Sequence, residues 1–312
     1  MTAAGDQSGG AADAAQATDG ETVAPLAVDA RGAADAAALL KRELSELPTV
    51  ERAPVQAFFE QHPLGAGAPV AIVIPAYNEE PTVAAVVGAI PSTLAGLATE
   101  VIVVDDGSAD ATTTEAAKAG ALVCELPYNR GQGLVFKLGY KLARLRGAEI
   151  IATIDADGQY VETELERVVA PIATGQADMV NGSRRLGTEL TTDPVRHAGV
   201  IFFGGLVSLL VRQRITDPAC GIRAMRTSLI SSVRLEQTQY QTSEVLIAAA
   251  LNGYRVIEVP TTMRDRPEGA TGTKKGPNLL YGLRFARAVL GTWRRERSAA
   301  RMRLRSENTQ KS

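Results

Sequence analysis

Three short polar segments carry most of the residues in this sequence that could do chemistry. They are residues 75–80 (PAYNEE), 105–112 (DDGSADAT) and 155–159 (DADGQ), and each closes a run rich in β-branched and other apolar residues. Adjacent or closely spaced carboxylates repel each other unless a cation, a ligand donor or solvent accommodates them. The three segments therefore indicate a site for a cation or a hydrogen-bonding ligand.

The third segment has the pattern of a metal site. Asp155 and Asp157 are two residues apart, so their side chains lie on the same side of an extended chain. A bend at Gly158 would bring Gln159 to them. Oxygen ligands of this kind suit Mg²⁺ or Mn²⁺, which keep bound water and bridge to the phosphates of a substrate. The spacing predicts a divalent metal site.

Each segment taken alone also fits a structural role. Asn-Glu before an apolar run is an N-cap signal, and Asp-Gly followed by Ser108 or Asp110 is ordinary turn and capping chemistry. An Asp-rich turn at 155–157 can simply be solvated. Three such segments at the strand ends of one sheet are harder to explain by structure alone, so the pattern favours a functional site.

The elements that must position these segments alternate along the chain. Short β-branched runs and longer amphipathic segments follow each other from residue 69, which is the pattern of a parallel sheet with crossover helices. Ligands bind at the carboxyl ends of the strands in such sheets, so the polar segments are expected at one edge. The expected strands are 70–75, 100–105, 121–125, 149–155 and 177–182, and the expected helices are 79–90, 110–119, 132–146 and 162–173.

The charges are divided unevenly along the 312 residues, although the formal net charge is only −2. From Arg264 onwards there are 13 Lys and Arg against 4 Asp and Glu, whereas the preceding part has 20 against 31. A basic end segment favours a partner with negative charge, which could be a phosphorylated substrate, an anionic membrane surface or nucleic acid.

Cysteine use and hydropathy limit the class of protein. Cys124 and Cys220 are far apart and only two histidines are present, which argues against a disulfide framework or a zinc site and fits a reducing cytoplasm. The N-terminal residues lack the pattern of a secretory signal. The longest apolar run, 198–211, has 14 residues, and a spanning helix needs about 20. We expect a cytoplasmic protein without a transmembrane segment, in which a helix could still lie in a membrane interface.

The polar segments and their order resemble the family 2 glycosyltransferases, specifically the polyprenyl-phosphate (dolichyl-phosphate) glucose and mannose synthases. The resemblance covers roughly residues 69–278 and includes NRGQG at 129–133, GSR at 182–184 and DPACGIR at 217–223. It implies an α/β nucleotide-diphospho-sugar transferase (GT-A type) fold, with a mostly parallel central sheet flanked by helices.

The resemblance also implies roles for the polar segments. In that family the first two segments hold the base and ribose of the nucleotide, and the DXD motif holds a metal on the diphosphate of the donor. Carried over, the metal ligands are Asp155, Asp157 and Gln159, and the cofactor is Mg²⁺ or Mn²⁺. The implied donor-binding residues are Pro75, Ala76, Tyr77, Glu79, Asp105, Asp106, Gly107, Asp155 and Asp157.

The activity implied by the resemblance is that of an inverting hexosyltransferase. The donor is a nucleotide-diphospho-sugar, with a UDP-sugar favoured because NRGQG, GSR and the cysteine before Gly-Ile-Arg look more like the glucose synthases. The acceptor is a polyprenyl phosphate, whose second pKa of about 6 makes a protein base unnecessary. The residues expected to position its phosphate are Arg184, Arg264, Lys274 and Lys275.

A hydroxyl of a saccharide or small molecule stays open as the acceptor, because residues 264–278 depart from the family's GxSK-type acceptor loop. Such a hydroxyl needs a carboxylate to take its proton. Asp217 and Glu244 are the candidates for this base, although a turn or cap role for Asp217 and a helix-surface role for Glu244 are equally ordinary.

Other classes fit less well. A dinucleotide-binding dehydrogenase is excluded because Gly65-Ala66-Gly67 precedes the first strand and 131–133 lacks a third glycine. A non-enzymatic protein that binds nucleic acid or an anionic surface through the Arg-rich tail is the remaining rival. The tail has one apolar helical stripe, which is most simply packed on the domain, and no nucleic acid is expected as a partner.

The chain is therefore expected to have four parts. Residues 1–35 are a disordered Ala-rich leader, 36–68 a helical and Pro-rich extension, 69–263 the catalytic domain, and 264–312 an acceptor loop with a basic C-terminal helix. The expected location is the inner face of the membrane, as a peripheral protein. An anionic membrane surface and a membrane partner subunit are the further partners that the resemblance implies.

Overall fold

The structure is a computed structural model, and it describes residues 30–190, 194–267 and 278–310. The predicted leader lies largely outside the described residues. Helix formation starts at Ala30, upstream of residue 36 where we expected the helical extension to begin. None of the helices in the described ranges is long and apolar enough to cross a membrane.

One mixed sheet lies at the centre of the part of the chain that the structure describes. Its strands are β1 (Val70–Ala76), β2 (Thr93–Leu94), β3 (Leu97–Asp105), β4 (Leu122–Glu125), β5 (Ile150–Thr153), β6 (Met179–Glu189), β7 (Arg223–Arg226) and β8 (Val256–Met263). The order is β2-β3-β1-β5-β7-β6-β8, and β4 pairs with β3 outside that path.

The two halves of the sheet differ in strand direction. β1 runs parallel to β3 and β5, and β3 runs parallel to β4. β7 lies antiparallel between β5 and β6, whereas β8 returns parallel to β6. The predicted α/β fold with a helix-flanked sheet is confirmed, and its parallel half is the one that the sequence pattern anticipates. β7 was not expected because its sequence, RAMR, has a charge at each end and no apolar run.

Helices cover both faces of the sheet and continue beyond it at both ends of the chain. They are α1 (Ala30–Ser45), α2 (Thr49–Gln61), α3 (Val83–Ala89), α4 (Thr112–Lys118), α5 (Gln132–Arg146), α6 (Leu165–Ala173), α7 (Pro194–Val211), α8 (Thr227–Ser232), α9 (Gln241–Leu251) and α10 (Asn278–Gln310). Residues 162–164 form a 3₁₀ turn before α6.

The alternation of side chains along β1 divides the core into two apolar layers. Ala71 and Val73 face a cluster that includes residues of α2, α5 and α9, while Ile72 and Ile74 face a cluster that includes α3 and α6. All four side chains are fully buried, which explains why the strand reads as an unbroken apolar run. Helix α5 comes so close to the sheet that a Cβ on Gly139 would lie 2.3 Å from Val73 Cγ1.

The N-terminal helices are attached to α5 by both apolar and charged contacts. Phe58 and Phe59 of α2 belong to the same buried cluster as α5. Glu43 of α1 is buried, and its carboxylate accepts hydrogen bonds from Lys141 Nζ and Arg144 Nη2, both at 2.8 Å. The C-terminal part of α1 and helix α2 therefore pack against the sheet-bearing part of the chain through α5.

Candidate active site

The carboxyl ends of β1, β3 and β5 lie side by side at one edge of the sheet. Ala76 is in register with Asp105, and Val73 is in register with Thr153. The backbone N–H of Asp106 donates to the carbonyl of Ala76 at 2.8 Å. The structure thus brings the segments 75–80, 105–112 and 155–159 to one edge of the sheet, where the sequence pattern places them.

The first two segments are tied together by hydrogen bonds. Asn78 N donates to Ser108 Oγ at 2.8 Å, and the side chain of Asn78 accepts from Ala109 N at 2.8 Å. The next amide, Glu79 N, donates to Thr112 Oγ1 at 2.8 Å. Asn78 has a φ of 53°, in the left-handed region that asparagine tolerates better than most residues. These contacts fix the two loops as one unit.

The two adjacent aspartates of the second segment hold different parts of the site. Asp105 accepts from both Ser108 N, at 2.9 Å, and Ser108 Oγ, which closes its own turn. Asp106 accepts from Arg130 N at 2.6 Å and Gly131 N at 2.9 Å, which holds the NRGQG segment against the strand end. Burial raises the pKa of both carboxyls, and these hydrogen bonds oppose the rise.

Position 107 must be glycine for two independent reasons, its backbone conformation and the close approach of Tyr128. Its φ is +74°, and a Cβ there would lie 2.4 Å from Tyr128 Cα.

Tyr128 and Tyr77 each expose a substantial part of the side chain, 49% and 37%. Pro75 and Ala76 are instead the last residues of β1, so they can meet a ligand mainly through their main chain.

Glu79 brings a third carboxyl close to the predicted metal motif. Burial and, after it, the neighbouring negative charge of Asp157 raise its pKa to about 7, against the hydrogen bond from Thr82 Oγ1 at 3.2 Å. Asp155 also contributes to the raised pKa. The first and third segments are therefore within electrostatic reach of each other.

Two of the predicted metal ligands face a single positive group. Arg266 Nη2 lies 2.8 Å from Asp157 Oδ2, and Arg266 Nε lies 3.4 Å from Gln159 Oε1. Gln159 N donates to Asp157 Oδ1 at 3.2 Å, which orients the turn. The main chain of Arg264 adds two further bonds, from its N–H to Gln159 O at 2.7 Å and from Gln159 Nε2 to its carbonyl at 3.0 Å.

The carboxylate of Asp155 packs closely against Gly221, beside Tyr160. A Cβ on Gly221 would lie 2.3 Å from Asp155 Oδ2 and 2.9 Å from Tyr160 Cε2. The hydroxyl of Tyr160 accepts from Gly221 N at 2.9 Å. Glycine at 221 is therefore needed for Asp155 to keep its place.

The donor set at 155–159 fits a divalent cation. Within the described ranges, no three Asp, Glu, His or Cys side chains form a cluster that could cage a metal ion. Mg²⁺ and Mn²⁺ do not need such a cage, because one or two carboxylates with substrate phosphates and water complete their coordination. The guanidinium of Arg266 is a stand-in cation here, since Asp157 and Gln159 already direct oxygens at it.

Arg184 and Asp217 form a buried two-bond ion pair beyond the metal motif. Arg184 Nε lies 2.6 Å from Asp217 Oδ2, and Arg184 Nη2 lies 2.7 Å from Asp217 Oδ1. Both side chains are almost fully buried. The predicted roles, a phosphate ligand for Arg184 and a base for Asp217, stay predictions, because each group here has the other as its partner.

The carboxylate of Glu244 is engaged by a loop and by α10. It accepts from Glu236 N at 2.8 Å and Gln237 N at 2.9 Å, and it pairs with Arg295 Nη2 at 2.9 Å. The side chain is buried, not on a helix surface. These contacts give Glu244 a structural role, and its role as a base stays a prediction.

Comparison with known proteins identifies the family. Residues 71–234, more than half of the chain, match the sequence model described as Glycosyl transferase family 2. The chain belongs to this family. A dolichyl-phosphate hexose transferase of Haloferax volcanii is 33% identical to this glycosyltransferase over 196 residues, which cover 63% of this chain and 83% of the relative.

Two further comparisons agree with this membership. A UDP-N-acetylglucosamine–dolichyl-phosphate N-acetylglucosaminyltransferase of Methanococcus voltae is 30% identical over 237 residues, covering 69% of this glycosyltransferase and 92% of the relative. Glucosyl-3-phosphoglycerate synthase from Mycobacterium tuberculosis, solved with Mn²⁺, uridine diphosphate and phosphoglyceric acid, aligns with a TM-score of 0.55 and 22% identity over 77% of this chain and 82% of that one. The last likeness shows the fold, which is the predicted GT-A type.

The predicted acceptor residues of the glycosyltransferase are only partly described. Arg264 has an exposed side chain and is anchored to Gln159 through its main chain. Lys274 and Lys275 lie outside the described residues.

Sequence reasoning missed three residues at this polar edge of the sheet. Ser108 was considered only as a turn and capping residue, and Thr112 and Arg266 were not singled out. The signal for Arg266 was available, since it is the second arginine of the RDR stretch directly after the last strand. Its pairing with Asp157, 109 residues earlier, depends on tertiary structure.

Proposed function

We propose that this glycosyltransferase is a metal-dependent, inverting hexosyltransferase that moves a hexose from a nucleotide-diphospho-sugar, a UDP-sugar by preference, to a polyprenyl phosphate. The observation that carries the proposal is the convergence of Asp157 and Gln159 on one cation position, beside two loops fixed at the same sheet edge. The names of the relatives support the acceptor class, since two of them transfer sugars to dolichyl phosphate.

The donor side of the proposed site divides into two parts. Asp105, Asp106 and Gly107 fix the shape of the loop that would receive the base and ribose, together with Tyr77 and Glu79. Asp155, Asp157 and Gln159 would hold Mg²⁺ or Mn²⁺ on the diphosphate. When bound, the metal would supply charge neutralisation for the departing nucleoside diphosphate. A UDP-sugar donor and a divalent metal are supported by one relative's name and by the Mn²⁺ and uridine diphosphate bound to the solved neighbour.

The acceptor chemistry explains why a protein base is not essential. A phosphate monoester has a second pKa of about 6, so it is largely a dianion near neutral pH and attacks without losing a proton to the protein. Direct attack at the anomeric carbon, on the face opposite the leaving diphosphate, inverts its configuration. Arg264 and the predicted Lys274 and Lys275 would hold the phosphate by charge, and arginine can contact two of its oxygens at once.

A hydroxyl acceptor is the alternative, and the carboxylates disfavour it. Such an acceptor needs a carboxylate that can take a proton. Asp217 is held by Arg184, and Glu244 is held by Arg295 and two main-chain amides. A carboxylate whose oxygens already accept several hydrogen bonds has few lone pairs left with which to reach the proton of an acceptor hydroxyl. This supports the phosphate acceptor.

The acceptor side also offers an apolar surface. In α7, Ile201, Phe202 and Leu209 expose 43%, 65% and 76% of their surface, and Leu283 of α10 exposes 62%. Exposed large apolar residues grouped on neighbouring helices are typical of surfaces that meet a partner or a membrane. We propose that this surface rests on the membrane that carries the lipid acceptor, which makes the enzyme a peripheral protein of the inner membrane face.

One assay tests the proposed function. Purified enzyme is given UDP- and GDP-hexoses with Mn²⁺ or with a chelator, and with polyprenyl phosphate, a saccharide or no acceptor. We expect metal-dependent transfer from a UDP-hexose to the lipid phosphate, and nuclear magnetic resonance of the product should show an inverted anomeric configuration. Transfer only to the saccharide would favour the alternative, and failure with every donor by the folded protein would overturn the enzyme assignment.

A further inference from the structure

We propose that Arg266 and the divalent metal ion exchange for one another at residues 155–159, so that the arginine holds the DADGQ turn until the metal displaces it. The inference rests on the proposed function, because it takes Asp157 and Gln159 as metal ligands. It assigns a positioning role to a residue that lies outside the matched part of the family, residues 71–234.

The contacts of Arg266 are those of a substitute cation. Its Nη2 and Nε reach two different oxygens, Asp157 Oδ2 at 2.8 Å and Gln159 Oε1 at 3.4 Å. Asp157 is buried, whereas the side chain of Arg266 is 31% exposed. The guanidinium thus reaches inward from a partly exposed position and ends on the oxygens expected to bind the metal.

The site needs a positive charge before any metal arrives. The negative charges of Asp155 and Asp157 both act on Glu79 at this edge of the sheet, and Arg266 is a positive group that acts on Glu79 and pairs with Asp157. Carboxylates packed together repel unless a cation balances them. Arg266 supplies that balance and keeps the turn in its binding geometry.

The two cations exclude each other for a simple physical reason. An Mg²⁺ ion bonds its oxygen ligands at about 2.1 Å, so it would lie within about 4 Å of a guanidinium still paired with Asp157. A divalent and a monovalent cation at about 4 Å repel by several kcal/mol, even at the effective dielectric constant near a protein surface. The metal, with its higher charge, replaces the arginine at the shared oxygens.

The exchange does not require residues 263–267 to move away from the DADGQ turn. The main chain at Arg264 forms two hydrogen bonds with Gln159, and Met263 pairs with Tyr160 in an antiparallel bridge. A Cβ on Gly158 would lie 3.3 Å from Pro267 Cγ, so the residue after Arg266 also packs on the turn. Only the long side chain of Arg266 needs to change rotamer while its main chain stays attached.

Metal affinity without donor tests the inference directly. Mn²⁺ binding to the full-length chain is measured by electron paramagnetic resonance of the free ion, for the native protein and for Arg266→Gln. Removing the competitor should tighten Mn²⁺ binding about tenfold, an amount typical of coupling between two binding events. The matched control is Arg264→Gln, which removes the same charge two residues away and should change the affinity less than about twofold.

Chemical labelling gives a second measurement, which is made first on the native protein. Phenylglyoxal modifies free guanidinium groups, and peptide mass spectrometry reports the labelling of Arg266 and of Arg255, which pairs with the distant Asp178. Added Mn²⁺ should raise the labelling rate of Arg266 severalfold and leave that of Arg255 unchanged. In Asp157→Asn, which removes a ligand, the response to Mn²⁺ should disappear.

The outcomes separate this inference from the proposed function. Equal Mn²⁺ affinity in Arg266→Gln, Arg264→Gln and the native protein would overturn the exchange, and so would labelling of Arg266 that falls when Mn²⁺ is added. Metal-dependent transfer in the same preparations would then leave the proposed function intact. If no preparation binds Mn²⁺ and transfer proceeds with a chelator, both the metal site and the exchange are wrong.

Discussion

Glu244 and Arg295 form an ion pair that joins α9 to α10, with 2.9 Å between Oε1 and Nη2 and the carboxylate fully buried. The same carboxylate holds the main chain of Glu236 and Gln237. One residue further on, the carbonyl of Thr238 accepts from Gly133 N at 2.8 Å. A chain of contacts therefore leads from the C-terminal helix to the NRGQG segment.

The loop that contains Gln237 and Thr238 packs tightly against the NRGQG segment. A Cβ on Gly133 would lie 2.4 Å from Gln237 O and 2.5 Å from Thr238 O. The amides of Arg130 and Gly131, at the other end of the segment, donate to Asp106 at the carboxyl end of β3. Glu244 and Arg295 thus influence the proposed nucleotide site without touching it.

We predict that Glu244→Gln and Arg295→Met have the same effect on activity. Each should weaken donor binding severalfold. Arg295→Met should lower the free energy of unfolding by about 3 kcal/mol, because it leaves the buried carboxylate of Glu244 without its counterion. Glu244→Gln should cost less, because Arg295 keeps Glu236 and Glu296 as partners. Steady-state kinetics with varied donor and urea unfolding measure the two effects. Arg297→Met, on the same helix and stacked on Trp293, is the control. A base would behave differently, since Glu244→Gln alone would then abolish kcat with a hydroxyl acceptor.

The Arg184–Asp217 pair leads to a second prediction. Asp217→Asn should cost about 3–5 kcal/mol of unfolding free energy, because it leaves the buried Arg184 guanidinium without its counterion. Replacing both residues, as Arg184→Met with Asp217→Leu, should be less destabilising than the sum of the single changes. Urea unfolding of the native protein, Arg184→Met, Asp217→Leu and the double variant gives the coupling energy. Strictly additive effects would contradict the pairing.

Activity of the same Asp217→Asn protein separates the acceptors. A lipid phosphate should still be glycosylated with a modest loss of rate, because the phosphate dianion needs no base. A hydroxyl acceptor that depends on Asp217 would lose nearly all activity. Full activity with both acceptors would remove Asp217 from the mechanism.

The ion pairs of α1 predict a pH dependence of stability. Burial alone would raise the pKa of Glu43, but its hydrogen bonds and ion pairs with Lys141 and Arg144 lower it from 4.5 to about 2. A carboxyl with a lowered pKa stabilises the fold fully above its unfolded pKa, and this contribution is lost as the pH falls from about 4.5 towards 2. We expect a loss of about 2 kcal/mol after allowing for solvent screening.

Urea unfolding at several pH values checks this expectation. Glu43→Gln should be less stable than the native protein at pH 6, and the difference should shrink as the pH falls below 4. Glu46→Gln changes an exposed carboxylate just after the end of the same helix and should follow the native curve. Parallel curves for Glu43→Gln and the native protein would show that the pair contributes nothing.

The parallel half of the sheet and its polar edge were predictable from sequence for physical reasons. Strands buried on both faces, such as β1, read as unbroken apolar runs, and their carboxyl ends must share an edge. The antiparallel β7 carries Arg223 and Arg226 in four residues, so its strand character comes from pairing with β5 and β6. The partners of Glu244 and Asp157 were also hidden, because Arg295 and Arg266 lie 51 and 109 residues away.

The exposed face of α7 leads to a prediction about how the enzyme would meet the proposed lipid acceptor. Phe202→Ser combined with Leu209→Ser should weaken binding to anionic liposomes, measured by sedimentation, by about a hundredfold or more, because burial of each large apolar side chain in a membrane interface contributes about 1.5–3 kcal/mol. Both side chains are largely exposed, so the free energy of unfolding should change by less than about 0.5 kcal/mol per substitution. Transfer to a short, water-soluble polyprenyl phosphate should be unaffected.

The basic end of α10 is tested separately on the same liposomes. A deletion from residue 279 would remove Phe285 and Val289 from the core, whereas a deletion of residues 300–312 keeps them. The shorter deletion should weaken binding to anionic vesicles and have little effect on neutral ones, because the removed charge is mostly basic. Unchanged sedimentation of both this deletion and the α7 double variant would exclude the membrane role of this surface, and the proposed lipid acceptor would then have to bind elsewhere on the glycosyltransferase.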